Sequence, residues 1–139
     1  MSLQIKGGCL CGAIRYRSNA VPAFSVICQC SQCQKITGTG HSAAVVVEAD
    51  TLMWTGKCRE YVLESDSGSR VVTAFCPACG CPIYKATDGY PQWRFINVGS
   101  LDDPGEFNAD MVVYHESGHT WDVLPAHVPV FGRVPENGV

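Results

Sequence analysis

The sequence predicts a mainly β domain with several short antiparallel strands and little helix, and three observations predict it. Short stretches rich in branched and aromatic residues recur along the 139 residues, most of them bounded by Gly, Asp, Asn or Pro. No long run repeats at the 3.6-residue period of an amphipathic helix. Seven of the nine cysteines fall into three tight clusters, Cys9-Leu10-Cys11, Cys28-Gln29-Cys30-Ser31-Gln32-Cys33 and Cys76-Pro77-Ala78-Cys79.

The elements follow in order. Residues 13–17 alternate roughly, and 24–27 form an apolar stretch leading into the second cysteine cluster. The best helical segment is brief, 31–36, with Ser31 as its expected N-cap. Residues 43–47 run from small to branched apolar side chains, as a buried strand does. Further strands are expected at 60–64, 71–75, 93–98 and 111–115, with turns at Ser65-Asp66-Ser67-Gly68 and Asp102-Asp103-Pro104-Gly105. Beyond Pro125 come Pro129, Pro135 and Gly138, which predict an extended C-terminal tail or partial disorder. No linker, low-complexity tract or tandem repeat divides the chain, so residues 1–139 are expected to form a single zinc-binding domain.

Composition narrows the function. The formal charge is −3 and the ten Lys and Arg residues are scattered, without the basic patch of a nucleic-acid binder. Residues 1–20 contain no apolar signal core, and no apolar run reaches the length of a membrane span. A soluble cytoplasmic protein, binding neither nucleic acid nor membrane, is the expectation. An odd number of cysteines at Cys-x-Cys and Cys-x-x-Cys spacing suits metal coordination better than a disulfide framework.

The clusters divide unequally. Cys9 and Cys11 with Cys76 and Cys79 supply four thiolates for one tetrahedral structural zinc, with Gly12 and Gly80 allowing tight turns. Alternatively, Cys76 and Cys79 serve the other cluster's metal, or some of these cysteines are simply buried apolar groups. Cys28, Cys30 and Cys33 place three soft ligands within six residues. On a divalent zinc they give a net charge of −1 and leave a position for water, a thiol or an aldehyde oxygen. A fourth ligand from Cys81, Cys58 or His41 would instead close this site as a second structural one, and redox dithiol chemistry is a further alternative.

The same residues carry a resemblance. Gly8-Cys9-Leu10-Cys11-Gly12, the run from Cys28 to Lys35, Phe75-Cys76-Pro77-Ala78-Cys79-Gly80 and Gly99-Ser100-Leu101-Asp102-Asp103-Pro104 resemble the glutathione-dependent formaldehyde-activating enzyme family, which includes centromere protein V-like domains. The resemblance covers about residues 5–125. It implies an Mss4-like β fold and two zinc ions. Cys9, Cys11, Cys76 and Cys79 would hold the structural ion, and Cys28, Cys30 and Cys33 the catalytic one. It also implies carbon–sulfur lyase chemistry on the adduct of formaldehyde with glutathione, S-(hydroxymethyl)glutathione. Two positions depart from the family's pattern: Gln29 stands where His is common, and Cys81 where a small polar residue is common.

The remaining polar residues carry weaker expectations. Lys35 and Arg94 could attract a substrate carboxylate, and His41 could exchange a proton or bind metal. His115, His119 and His127 form no compact motif, and Asp102-Asp103 reads as a turn. Cys58 is expected to be an isolated thiol. Tyr16, Tyr61, Tyr84, Trp54 and Trp93 are expected to pack against the sheets. Neither a phosphate-binding loop nor a serine nucleophile elbow is present. The expected function is therefore a zinc-dependent enzyme acting on a small thiol and an aldehyde. The alternative is a non-catalytic zinc-stabilised protein-interaction module.

Overall fold

The computed structural model describes residues 4–136. The strands are β1 (Ile5–Gly8), β2 (Arg15–Ser18), β3 (Phe24–Cys28), β4 (Ser42–Glu48), β5 (Met53–Thr55), β6 (Arg59–Glu64), β7 (Arg70–Phe75), β8 (Pro82–Thr87), β9 (Trp93–Asn97) and β10 (Met111–Val113). One α-helix, α1 (Ser31–Thr37), follows β3. β1, β2 and β5 form a three-stranded sheet, and the others form a seven-stranded sheet in the order β10-β3-β4-β9-β8-β7-β6. All pairings between strands are antiparallel except β10 with β3, which is parallel. No helix among the described residues is long and apolar enough to cross a membrane.

β4 explains the architecture. Its Ala44, Val45, Val46 and Val47 are all buried, so both faces of the large sheet are covered at this strand. Side chains alternate across a strand, and the register sorts them into two cores. Val45 lies opposite Ile96, and with Val47, Ile83, Ile14 and Tyr16 they form one core beneath the small sheet. Val46 lies opposite Phe95, and with Ala44, Val26 and Val113 they form the other, beside α1.

The strand expectations at 13–17, 24–27, 43–47, 60–64, 71–75 and 93–98 each fall on an observed strand. The expected strand at 111–115 is cut short. β10 ends at Val113, because Tyr114 adopts a left-handed backbone (φ 57°) and starts a 3-10 turn at His115–Ser117. β1, β5 and β8 carry no clear period-2 signal and emerge only through pairing. The segment after Pro125 runs through turns and bends, with a left-handed backbone at His127 (φ 64°), and is tied to β10 and the turn after it: Val112 N–H donates to Pro129 O, and Tyr114 N–H to Arg133 O. The end of that tail, residues 137–139, lies outside the described residues. Tyr61, expected to pack, is 64% exposed on β6 at the sheet edge. Trp54, by contrast, packs between Tyr16 and Tyr84 in two tilted ring contacts.

Candidate functional site

The turn between β1 and β2 carries Cys9 and Cys11, and the turn between β7 and β8 carries Cys76 and Cys79. The fold brings the four sulfurs within 4.8 Å of one another. Cys9 Sγ and Cys11 Sγ are 3.6 Å apart, and Cys11 Sγ and Cys76 Sγ 3.7 Å. Four thiolates at about 2.3 Å from one zinc would stand roughly 3.8 Å apart at the corners of a tetrahedron, so this set fits the ion.

Both turns are shaped for sulfur. Gly12 and Gly80 adopt φ of 84° and 76°, which lets the backbone fold back and aim N–H groups at the sulfurs. Ile14 N–H donates to Cys9 Sγ at 3.2 Å, while the Ala78 and Cys79 N–H groups donate to Cys76 Sγ. Such donors favour thiolate over thiol. Burial pushes the Cys9 thiol up, but the bonds from Ile14, Cys11 and Cys76 outweigh it and leave its pKa at about 6.

Cys28 ends β3, Cys30 follows after Gln29, and Cys33 lies in the first turn of α1. The helix start differs from expectation. Cys30, not Ser31, is the N-cap, its sulfur accepting the Cys33 N–H at 3.3 Å. The capping sulfur is thereby turned toward the other two. The three sulfurs lie within 4.8 Å of one another, and among the described residues no further Cys, His, Asp or Glu completes the group. Hydrogen bonds from Cys28 and Cys30 hold the Cys33 thiol well below the ordinary cysteine value, and the same contacts push Cys28 up. Three soft sulfurs held this close by a strand end and a helix start form a ligand set suited to a cation.

The three candidate fourth ligands lie elsewhere. Cys81 Sγ contacts Pro82 O at 3.7 Å, and Cys58 packs beside the first core. His41 Nδ1 bonds the Asp122 carboxylate at 2.8 Å. The neighbour that does reach the triplet is Lys85 of β8, whose Nζ stands 3.7 Å from Cys33 Sγ and 5.5 Å over the centre of the Phe95 ring. Burial opposes its charge, but the Cys33 sulfur, with Cys28 and Cys30 behind it, holds its pKa above the ordinary lysine value. The sequence directed attention to Lys35 instead, which is exposed. Arg94 lies 5.8 Å from the centre of the Tyr84 ring and donates to the Pro91 and Trp93 carbonyls, away from the triplet.

Behind the triplet, Gln29 is fully buried. Its Nε2 donates to Asp122 Oδ2 at 2.9 Å, and its Oε1 accepts from His115 Nδ1 at 2.7 Å. Gln34 Nε2 bonds the carbonyls of Gln29 and Ser117. The amide occupying the His position of the family pattern thus pins the cysteine loop to the 115–122 segment. Asp122, His115 and Gln34 carry no recognisable spacing in the sequence and meet only in the fold.

Cys28, Cys30 and Cys33 line a cleft of about 620 Å³. Its floor is the second core's sheet face, and its rim is the tip of the β6–β7 hairpin, held to α1 by the bond from Gln32 Nε2 to Glu64 O. The four-cysteine cluster lies with the opposite core.

Comparison with known proteins gives a family and a fold. The family model described as glutathione-dependent formaldehyde-activating enzyme matches residues 4–117. A crystal structure of a Rhodobacter sphaeroides protein superposes with a TM-score of 0.58 at 19% sequence identity, over 91% of this chain and 99% of that one. At that identity the likeness shows the fold alone. No curated protein is a significant match to the sequence.

Proposed function

Because the chain belongs to the glutathione-dependent formaldehyde-activating enzyme family, we propose that it is a zinc-dependent, carbon–sulfur lyase-like enzyme acting on a thiol–aldehyde adduct. S-(hydroxymethyl)glutathione, formed from glutathione and formaldehyde, is the first substrate to test. In this proposal residues 1–139 are one zinc-binding domain. Cys9, Cys11, Cys76 and Cys79 hold a structural ion, and Cys28, Cys30 and Cys33 hold a second, catalytic one. The nine cysteines are all free, which suits the reducing cytoplasm.

The observation that carries the proposal is the contrast between the two clusters. One has four sulfurs; the other has three and lines a cleft. Two closed four-ligand sites with no opening would instead have favoured a zinc-stabilised interaction module.

A bound zinc would lower the pKa of a substrate thiol and polarise an aldehyde oxygen. The protein's residues set the scene for that chemistry. Cys28, Cys30 and Cys33 fix where the substrate sulfur or oxygen can approach, because strand and helix hold them from two sides. Three thiolates on a divalent ion carry a net −1, which the Lys85 ammonium offsets. Val26, Ala44 and Phe95 form an apolar floor that limits water around the reacting atoms. In adduct formation the thiol sulfur bonds to the aldehyde carbon, the carbonyl π pair moves to oxygen, and the thiol's proton ends there as hydroxyl. In the lyase direction the carbon–sulfur bond breaks, the carbonyl re-forms and the proton returns to sulfur.

Cys28→Ser tests this directly. The variant is expected to lose one of two zincs, keep its folding transition and lose turnover of every accepted thiol adduct. Unchanged turnover with one zinc missing would sink the mechanism.

A further inference from the structure

The cleft in front of the three cysteines is poorly matched in charge to glutathione. That tripeptide carries two carboxylates and one ammonium, so a pocket built for it must offer cations to both acidic ends. Among the described residues only two charged side chains other than cysteine line the cleft, Lys85 and Asp66. Lys85 is already engaged by Cys33 and seated over Phe95. Its single charge balances the net −1 expected of three thiolates on a divalent ion, leaving no surplus cation for a carboxylate. Asp66, exposed at the hairpin tip, would repel one.

The strand register explains why no arginine reaches in. Directly opposed residues of neighbouring strands share a face. Thr73, Lys85 and Phe95 form one such row across β7, β8 and β9, and Val71 and Thr87 form the next. Arg70 and Arg94 alternate with members of these rows, and neither lines the cleft. Lys35 of α1 does not line it either.

What the cleft does offer is apolar surface and hydroxyls. Phe75, Pro82 and Val113 extend the apolar floor already described, and the hairpin tip adds Ser65, Ser67 and Ser69. Aliphatic and aromatic walls gain from burying a carbon chain. A carboxylate placed against them without a cation would be strongly disfavoured. Hydroxyls at the rim can pair with neutral amide or hydroxyl groups at the far end of a ligand.

We infer that this site takes an uncharged thiol, or its aldehyde adduct, with an apolar arm and a neutral polar end, in preference to glutathione. The inference rests on the proposed role of the three cysteines as an open zinc site.

The test is calorimetric titration of the zinc-loaded protein with matched thiols. The pairs are N-acetylcysteine against its methyl ester, and glutathione against its diethyl ester. Each ester is expected to bind roughly tenfold or more tightly than its parent acid, since the acid must bring an unpaired carboxylate into the cleft. Asp66→Lys, at the exposed rim, is expected to strengthen glutathione several-fold and narrow the ester-to-acid ratio. Parent acids that bind as well as their esters overturn the inference while leaving the zinc site intact. A ratio unmoved by Asp66→Lys also overturns it, because charge in the cleft would then not be the selector. If no thiol binds the zinc-loaded protein, the open-site reading falls and this inference falls with it.

Discussion

Lys85 sets an ammonium against the second cysteine cluster. A lysine in a strand facing an apolar cleft is unfavourable alone, and here the Cys33 sulfur 3.7 Å away compensates it. Removing the ammonium should leave the anionic sulfur cluster without its counter-charge. Lys85→Gln is therefore expected to weaken zinc at the second site by about 10–100-fold, the usual scale for losing a group that supports metal ligands. Competition with a chelator reads this directly, and Lys85→Arg should recover part of the loss. The structural zinc should be unaffected in both variants. Nothing in the sequence around Ile83-Tyr84-Lys85 marks this residue. Its role depends on β8 placing it across from Phe95 and under α1, a relation between segments about fifty residues apart.

At the scale of elements, α1 and the turn at His115–Ser117 are held together by amides and imidazoles rather than by an extended apolar interface. Asp122 is the centre of that network, with a side chain only 8% exposed that receives bonds from Gln29 and His41. Burial pushes its carboxyl up, but these bonds outweigh it and hold the pKa below the usual carboxylate value. Asp122→Ala should cost about 1–3 kcal/mol, because it strands a buried amide donor. The dependence on pH has a definite sign. A carboxyl whose pKa is depressed by folding stabilises the protein above its unfolded value of about 4, and that stabilisation is lost as acid protonates it. The gap between wild type and variant in denaturant melts should thus be steady near neutrality and shrink below about pH 4. The helix itself was legible near its true span, since Cys28-x-Cys30-x-x-Cys33 forces a turn. Its cap was not, because sulfur is a rare capping acceptor and Ser31 looked the better one.

At the scale of the whole molecule, the seven-stranded sheet separates the two cysteine clusters. The four-cysteine cluster joins turns 65 residues apart on one side, while the three-cysteine cluster faces the cleft on the other. Metal at the first cluster should therefore govern folding, and metal at the second should govern chemistry. Cys9→Ser is expected to lose one zinc and melt at markedly lower temperature, close to wild type stripped by chelator. A variant with wild-type melting would show that the four sulfurs do not clamp the fold. The sequence by itself determined the mainly β class, most strand positions and the grouping of the cysteines. Those follow from local alternation, turn residues and the short reach of neighbouring thiols. Only the tertiary structure decided that no Cys58, Cys81 or His41 completes the triplet, that Lys85 and Asp122 serve it, and that its cleft is apolar. Those depend on strand order and register, which bring distant residues onto one face and leave no trace in the spacing of any single segment.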